Sequence, residues 1–260
     1  MIGSVVKVIV DRPLGSYHPK HKDLYYSVNY GYIPGVLAPD GEEQDAYILG
    51  VGEPVSEFEG KVIAIIHRFD DVEEKWVVAP ENASFTQEEI MAQTAFQEQY
   101  FRTEIRMLQL VRSTQADAQI IQNLQQQAFA ELLETYQDHE TSPANESLER
   151  IIWKLQQPDS YFYRIQVGSE TVGAIRVVDG GDGSTKRISP LFILPSYRGN
   201  GYAQAAMAEA EKRHGAHNWE LDTILQERGN CYLYEKMGYR QTERKTVIND
   251  KMTIVGYVKE

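Results

Sequence analysis

The segment 191–203 carries the clearest chemical signal in the sequence, because an apolar run leads there into a glycine-containing turn. The turn reads Arg198-Gly199-Asn200-Gly201-Tyr202-Ala203 and precedes an alanine-rich stretch that we predict to be helical. First-turn amides of a helix lack intrahelical acceptors and lie at the positive end of the helix dipole, so such a turn can bind phosphate. Gly199 and Gly201 would allow close approach of the backbone. The glycines alone fit an ordinary strand-to-helix turn equally well.

A second group of residues could bind a metal ion. Asp40, Glu42 and Asp45 lie within six residues of one another, beside an apolar run that we predict to be a strand. Oxygen ligands of this kind suit Mg²⁺, which bridges phosphate groups in many hydrolases. On charge alone, a solvated acidic turn explains the three carboxylates better than a metal site does.

Composition limits the classes of protein to which the chain can belong. The 260 residues carry a net charge of −12, and 42% of them are hydrophobic, enough for a folded core. The acidic balance argues against general nucleic-acid binding, which needs clustered cations. No apolar run is long enough for a membrane span, and the N-terminal residues read as a strand rather than a secretory leader. Cys231 is the only cysteine, which favours a reducing compartment, the cytoplasm.

The acidic charge is unevenly distributed, and this suggests two domains. Residues 1–106 carry 18 acidic and 9 basic side chains, whereas residues 107–260 carry 20 and 17. In the first part, short β-branched runs alternate with Gly and Pro, which predicts a small β-barrel. A capping box at Thr86–Glu89 predicts a helix to about residue 100. The predicted barrel strands are Val5–Val10, Ala46–Val51, Lys61–His67 and Lys75–Ala79.

Residues 107–260 predict a mixed α/β domain. Helical spacing continues from Ala116 to about Tyr136, with one apolar face formed by Ile120, Leu124, Phe129 and Leu132–Leu133. A helix near Leu148–Leu155 and three strand-like runs follow. The last of these runs, Arg187–Ile193, precedes the glycine turn. With the remaining segments, including a C-terminal hairpin, the predicted element order is βααβββαβαββ.

This second domain resembles the GCN5-related N-acetyltransferase (GNAT) family. The turn 198–203 matches the family's pyrophosphate-binding loop, Arg/Gln-x-x-Gly-x-Gly/Ala. The segment Leu233-Tyr234-Glu235-Lys236-Met237-Gly238-Tyr239 matches its Leu-Tyr-Glu-Lys-x-Gly-Phe/Tyr motif. Both motifs occur at the family's spacing and within its strand order, so the resemblance covers residues 107–260.

The resemblance implies a direct transfer of acetyl from acetyl-CoA to an amine. The backbone of Leu191, Phe192 and Ile193, on a strand that splays from its neighbour, would hold the pantetheine arm. Amides of the turn 198–203 would hold the pyrophosphate. Tyr234 would protonate the departing thiolate, a role that suits a phenol because it retains its proton at neutral pH. A core aromatic residue is the alternative interpretation of Tyr234.

Two further positions are carried over from the resemblance. Asp222 matches a carboxylate that serves some amine-acetylating relatives as a base through water, although a structurally paired acid explains it equally well. Many members have an asparagine seven residues before the tyrosine, where this chain has Glu227, so Asn230 would take over that contact with CoA. We interpret Cys231 as a buried small residue rather than a nucleophile.

The first domain resembles soluble inorganic pyrophosphatases from about residue 4 to 81. The segment 29–35 matches their Asn-Tyr-Gly-Tyr-Ile-Pro sequence, and Asp40, Glu42 and Asp45 stand at their metal loop. Lys75 matches a phosphate-binding lysine. The departures are Glu42 for the central aspartate, Glu43 for proline, and the absence of an arginine and a Tyr-Lys pair. They imply a reduced pyrophosphatase-like domain that could bind Mg²⁺ but lacks full activity.

Three hypotheses follow for the whole protein. The first is an N-acetyltransferase that uses acetyl-CoA and a primary amine of a small molecule or peptide, without a nucleic-acid or membrane partner. The second is an Mg²⁺-dependent phosphohydrolase with a CoA-sensing GNAT-like domain. The third is a scaffold built from two inactive enzymes. The paired motifs favour the first. The sequence does not indicate the acceptor or the oligomeric state.

Overall fold

A computed structural model of the chain describes residues 2–260. It divides into two compact units. The N-terminal unit extends to Leu108 and includes the short turn Val167–Ser169, which the sequence did not assign to it. The C-terminal unit comprises Gln109–Gln166 and Glu170–Glu260.

The N-terminal unit is a closed five-stranded barrel. The strands are β1 (Val5–Arg12), β2 (Asn29–Leu37), β3 (Glu43–Ile48), β4 (Glu57–Arg68) and β5 (Glu74–Ala79). They are ordered β1-β2-β3-β5-β4, and pairing of β1 with β4 closes the ring. β6 (Thr103–Arg106) extends the sheet at β4, and α1 (Gln87–Glu98) begins at the predicted capping box. The predicted small barrel is therefore confirmed, whereas its pyrophosphatase-like identity is not shown.

Strand β2 was not predicted as a strand, because Gly31, Pro34 and Gly35 interrupt its β-branched pattern. Gly31 is required by close packing of the barrel. A Cβ atom at this position would lie 1.9 Å from the carbonyl oxygen of Ile9 on β1. The glycine that weakens the sequence signal is thus the residue that lets the two strands pair.

The C-terminal unit has the predicted order of elements. They are β7 (Leu108–Arg112), α2 (Ala118–Tyr136), α3 (Leu148–Gln156), β8 (Ser160–Val167), β9 (Glu170–Val178), β10 (Lys186–Ile193), α4 (Tyr202–His214), β11 (Trp219–Ile224), α5 (Arg228–Lys236), β12 (Arg240–Val247) and β13 (Thr253–Lys259). The seven strands form one sheet in the order β12-β13-β11-β10-β9-β8-β7. None of the helices within residues 2–260 is long and apolar enough to cross a membrane.

The buried face of α2 differs from the predicted one. Ile120 is 44% exposed, whereas Ile121 is fully buried, so the face is rotated by one residue at its start. Ala128 also lies in the core of this unit, beside Phe192 of β10. Phe129 is only partly buried, which leaves it available to line a cavity.

Candidate active site

The central feature of the site is a divergence between strands β10 and β11. These strands pair in parallel at three positions, the last being Ile188 with Leu221. Both strands continue beyond this point, β10 to Ile193 and β11 to Ile224, without further pairing in the described chain. The edges of Leu191, Phe192 and Ile193 that face away from β9 therefore line an open slot. This is the splayed strand that the sequence resemblance implied.

A β-bulge accounts for the divergence. On β10 there are three steps from Ile188 to Leu191, whereas their partners on β9, Val177 and Ile175, are two steps apart. The extra residue bends β10 locally, as bulges do. Arg176 holds the bulge, because its Nη1 donates to the carbonyl oxygen of Ser189 at 3.0 Å and the residue is 9% exposed. Nothing in the local sequence indicated this role for Arg176.

The turn after β10 has the backbone form that anion binding requires. Gly199 and Gly201 have φ values of +80° and +77°, a region that side chains with a Cβ atom disfavour. Gly201 is the N-cap of α4, and no side chain caps this helix end. The first turn of α4 therefore keeps its positive end open toward a ligand.

The side chain of Arg198 anchors this turn to neighbouring elements. Its Nη2 donates to the carbonyl oxygen of Ala128 at 2.8 Å, and its Nε donates to that of Ile193 at 3.3 Å. Its Nη1 forms an ion pair with Glu131 at 3.2 Å. The guanidinium thus ties the turn to α2 and to the end of β10. The geometry supports a positioning role for its side chain, with ligand contact left to the backbone.

Two cavities meet beside the splayed strand. The first, which we call the turn cavity, has a volume of about 490 Å³ and is lined by β10, the turn 198–203 and the start of α5. The second, which we call the loop cavity, has a volume of about 400 Å³ and also extends to the loop 138–143. Both volumes are typical of small-molecule sites. The residues shared by the two linings are Phe129, Leu132, Leu191, Asn230 and Tyr234.

Tyr234 has the properties of a proton donor at this junction. It lies on α5, and the residue is 7% exposed. Burial raises the pKa of its phenol to about 12, while a hydrogen bond with Thr223 acts in the opposite direction. At neutral pH the hydroxyl therefore keeps its proton and can donate it where negative charge develops. Thr223 lines the loop cavity and was not singled out in the sequence.

Asp222 also lines the loop cavity, but its charge is compensated. Its Oδ2 forms an ion pair with Arg187, and its Oδ1 forms another with Arg244. Arg187 also binds Glu220 at 2.8 Å, and these four side chains form a network of two cations and two anions. Both oxygens of the Asp222 carboxylate are therefore engaged with guanidinium groups.

The structure brings most of the predicted ligand-binding positions together. The turn cavity is lined by Leu191, Phe192, Ile193, Arg198, Gly199, Gly201, Tyr202, Ala203 and Asn230. Asn200 is outside this lining, and its Nδ2 donates to the carbonyl oxygen of Tyr197 at 3.1 Å within the turn. Glu227 does line it, and accepts a 2.6 Å hydrogen bond from the Tyr136 hydroxyl.

A family model places the site in a known class. The model described as the acetyltransferase (GNAT) family matches residues 121–239. The chain therefore contains a GNAT acetyltransferase domain. The match includes the splayed strand, the turn and Tyr234, so both cavities are built largely from residues of this domain. No curated protein matched the sequence.

Solved structures similar to the chain include several acetyltransferases. An acetyltransferase from Thermus thermophilus is 17% identical, with a TM-score of 0.45; the match covers 58% of this chain and 94% of that one. Spermidine N-acetyltransferase from Vibrio cholerae, in complex with CoA and spermine, is 13% identical with a TM-score of 0.47, covering 58% and 93%. An N-acetyltransferase from Thermoplasma acidophilum, in complex with coenzyme A, is 16% identical with a TM-score of 0.46, covering 59% and 99%.

The N-terminal unit does not form the predicted magnesium site. Glu42 and Asp45 line a cavity of about 390 Å³, but Asp40 is absent from its lining and accepts a hydrogen bond from the Glu42 amide. Asp45 forms an ion pair with the buried ammonium of Lys75, which also binds Glu73. Within residues 2–260, no three or more His, Cys, Asp or Glu side chains are grouped to hold a metal ion. The Lys75 ammonium lies beside Asp45, where the resemblance implied that Mg²⁺ could bind.

Proposed function

We propose that the protein is an N-acetyltransferase that transfers acetyl from acetyl-CoA to the primary amine of a small molecule or peptide. The observation that carries this proposal is the position of Tyr234, a buried proton donor in the wall shared by two cavities. One cavity has features that suit CoA, and the other can admit an acceptor. The two substrates would then meet beside the hydroxyl group.

The residues present suit CoA in the turn cavity. The uncapped start of α4 offers a positive helix end for the pyrophosphate, and Gly201 adds no side chain there. The backbone edge of Leu191–Ile193 that faces away from β9 offers N–H and C=O groups to the pantetheine arm. The arm would bond to this edge in the way that an added strand bonds to the edge of a sheet. Acetyl-CoA would supply an activated acetyl group at the point where the two cavities meet.

In the proposed reaction, the neutral amine nitrogen forms a bond with the acetyl carbon as the bond from that carbon to sulfur breaks. The Tyr234 phenol gives its proton to the departing thiolate and regains one from solvent. The amine proton that is released passes to water. Since Asp222 is held by Arg187 and Arg244, we propose that it maintains the wall of the acceptor cavity and does not act as the base.

The proposal is tested by measuring CoA thiol release from acetyl-CoA with a panel of primary alkylamines and short peptides. We expect thiol release that depends on the amine, with an N-acetylated product of matching mass. CoA binding by calorimetry supplies an independent readout of the turn cavity. If the 260-residue chain neither binds CoA at high micromolar concentration nor releases thiol with any amine, the proposed function is wrong.

A further inference from the structure

Arg176 of β9 lies opposite the bulge in β10. Between the paired positions on either side of the bulge, β10 has two residues, Ser189 and Pro190, whereas β9 has only Arg176. The extra residue of a bulge is left out of the regular ladder, and Pro190 in addition has no N–H group to donate. This part of β10 therefore depends on contacts other than the backbone ladder to keep its shape.

The Arg176 side chain supplies such contacts to the strands on both sides of β9. Its Nη1 donates to the carbonyl oxygen of Ser189 on β10 at 3.0 Å, and its Nε donates to the hydroxyl of Ser160 on β8 at 2.8 Å. Ser160 is fully buried, so water does not readily replace its bond to the guanidinium. A guanidinium suits this bridge because its donors point in fixed and different directions, whereas a lysine has a single nitrogen.

The charge of Arg176 is not used in an ion pair. Within residues 2–260, no aspartate or glutamate forms a salt bridge with it, and both of its hydrogen-bond acceptors are uncharged oxygens. A buried cation with only neutral partners is costly, and an apolar side chain of similar length would fill the same space without that cost. Neither packing nor charge balance therefore accounts for the guanidinium, whereas the shape of β10 does.

The bulge comes directly before the backbone edge that the proposed reaction uses. In the described chain, the last pair between β10 and β11 is at Ile188, so the bulge separates the paired part of β10 from the open slot. Leu191, the first residue after the bulge, lines both cavities, as Tyr234 does. A change in the direction of β10 at the bulge would move this edge relative to Tyr234. Misplacement of a reacting group by about 1 Å can lower a rate about 10²-fold.

We infer that Arg176 is a positioning residue for acetyl-CoA, because it holds β10 in the bent form that opens the edge Leu191–Ile193 to the pantetheine arm. This inference rests on the proposed function and adds to it a residue that lines neither cavity. The pyrophosphate is bound separately, by the turn 198–203. Loss of the guanidinium should therefore weaken the contacts of the pantetheine arm and preserve those of the nucleotide.

The binding test compares acetyl-CoA with 3′-phosphoadenosine 5′-diphosphate, which is the nucleotide part of CoA without the pantetheine arm. In calorimetry with the 260-residue chain, we expect Arg176→Met to weaken acetyl-CoA binding about tenfold and to leave the affinity for the nucleotide unchanged. Arg176→Lys keeps the charge and one donor nitrogen, so its affinity for acetyl-CoA should lie between those of Arg176→Met and the wild type.

Arg112→Met is the control for this comparison. Arg112 also bonds to a residue of β8, because its Nη2 donates to the carbonyl oxygen of Ser160 at 2.8 Å, but it lies away from the bulge and lines neither cavity. The control variant should bind both ligands as the wild type does.

Hydrogen exchange gives a second readout that needs no ligand. In Arg176→Met, the backbone amides of residues 188–193 should exchange several-fold faster than in the wild type, while those of α4 should be unchanged, because only the bulge has lost its support. An increase spread equally over the whole GNAT domain would mean that Arg176 only stabilises the fold, and this would overturn the inference.

Two further results would overturn the inference. One is unchanged exchange of residues 188–193 in Arg176→Met, and the other is equal weakening of acetyl-CoA and the nucleotide. Thiol release by the wild type judges the proposed function separately. If the wild type acetylates no amine but Arg176→Met selectively loses affinity for acetyl-CoA, the proposed function is contradicted and the positioning role is supported.

Discussion

The hydroxyl of Tyr136 donates a hydrogen bond of 2.6 Å to Oε1 of Glu227, and this bond joins the two cavities of the GNAT domain. Tyr136 lines the loop cavity, and Glu227 lines the turn cavity. Burial and the bond to Glu227 raise the pKa of the Tyr136 phenol to about 12, so it remains a donor throughout the usual assay range. Glu227 occupies the position at which the family resemblance led us to expect asparagine.

Removing this hydrogen bond should affect both substrates. We expect Tyr136→Phe to raise the KM values for acetyl-CoA and for the amine about fivefold, as the loss of about 1 kcal/mol implies. Glu227→Gln retains an acceptor oxygen and should have a smaller effect. Steady-state kinetics with each substrate varied in turn would measure this. An unchanged KM for both substrates in Tyr136→Phe would show that the bond does not shape the cavities.

Tyr234→Phe tests the proposed general acid. Removal of a positioned proton donor should lower kcat about 10²- to 10⁴-fold while acetyl-CoA affinity changes little, because the ring remains. Tyr257→Phe is the matched control, since its buried ring lies 5.8 Å from that of Tyr234 but lines neither cavity. Full activity of Tyr234→Phe would exclude the proposed role.

The pH dependence of the wild-type rate provides a separate check on Tyr234. The proton donor is active below its pKa and inactive above it. Since burial raises that pKa to about 12, the rate should not decline near pH 10, where an ordinary tyrosine titrates. A declining limb near pH 10 that disappears in Tyr234→Phe would contradict the buried environment described for this phenol.

Gly199 and Gly183 offer a matched pair for testing the turn. Their φ values are +80° and +82°, and a Cβ atom at either position would meet no atom within 4 Å. Alanine should therefore destabilise both positions by a similar amount, about 1–2 kcal/mol. Only Gly199 lines the turn cavity, so only Gly199→Ala should also weaken CoA binding. Equal CoA affinity in the two variants would argue against phosphate binding at this turn.

Local sequence patterns were sufficient to predict the elements that carry the site. β10 begins at Lys186, one residue before its predicted start at Arg187, and α4 follows the turn 198–203 as predicted, because apolar periodicity and glycine punctuation are local signals. The turn 198–203 was recognisable for the same reason. A strand followed by closely spaced glycines and a helix restricts the backbone to few conformations.

The charge balance of the site could not be predicted in this way. Arg187 and Glu220 are register partners on neighbouring strands, and Arg244 reaches the same carboxylates from β12. These pairings depend on strand order and on register, which a single sequence does not reveal.

Three side chains of the GNAT domain, those of Asp179, His214 and Tyr163, are linked by hydrogen bonds and give a prediction for stability. Asp179 Oδ2 lies 2.8 Å from His214 Nδ1, and His214 Nε2 lies 3.0 Å from the Tyr163 hydroxyl. A carboxylate can only accept, so Nδ1 carries the proton in this arrangement. Burial opposes ionisation of Asp179, but hydrogen bonds from His214 and from the Gly181 amide outweigh it and lower its pKa.

A carboxylate with a lowered pKa in the folded state stabilises the protein above its unfolded-state pKa, and this contribution is lost as pH falls through the folded-state value. We expect Asp179→Asn to lower the free energy of unfolding by about 1–3 kcal/mol at pH 6. Below the lowered folded-state pKa, where the wild-type carboxylate also becomes protonated in the folded protein, the two proteins should converge. Asp182→Asn changes an exposed residue of the same turn and should lower the free energy of unfolding much less. Chemical denaturation at several pH values measures this, and a difference that persists at low pH would mean that the Asp179 charge is not its source.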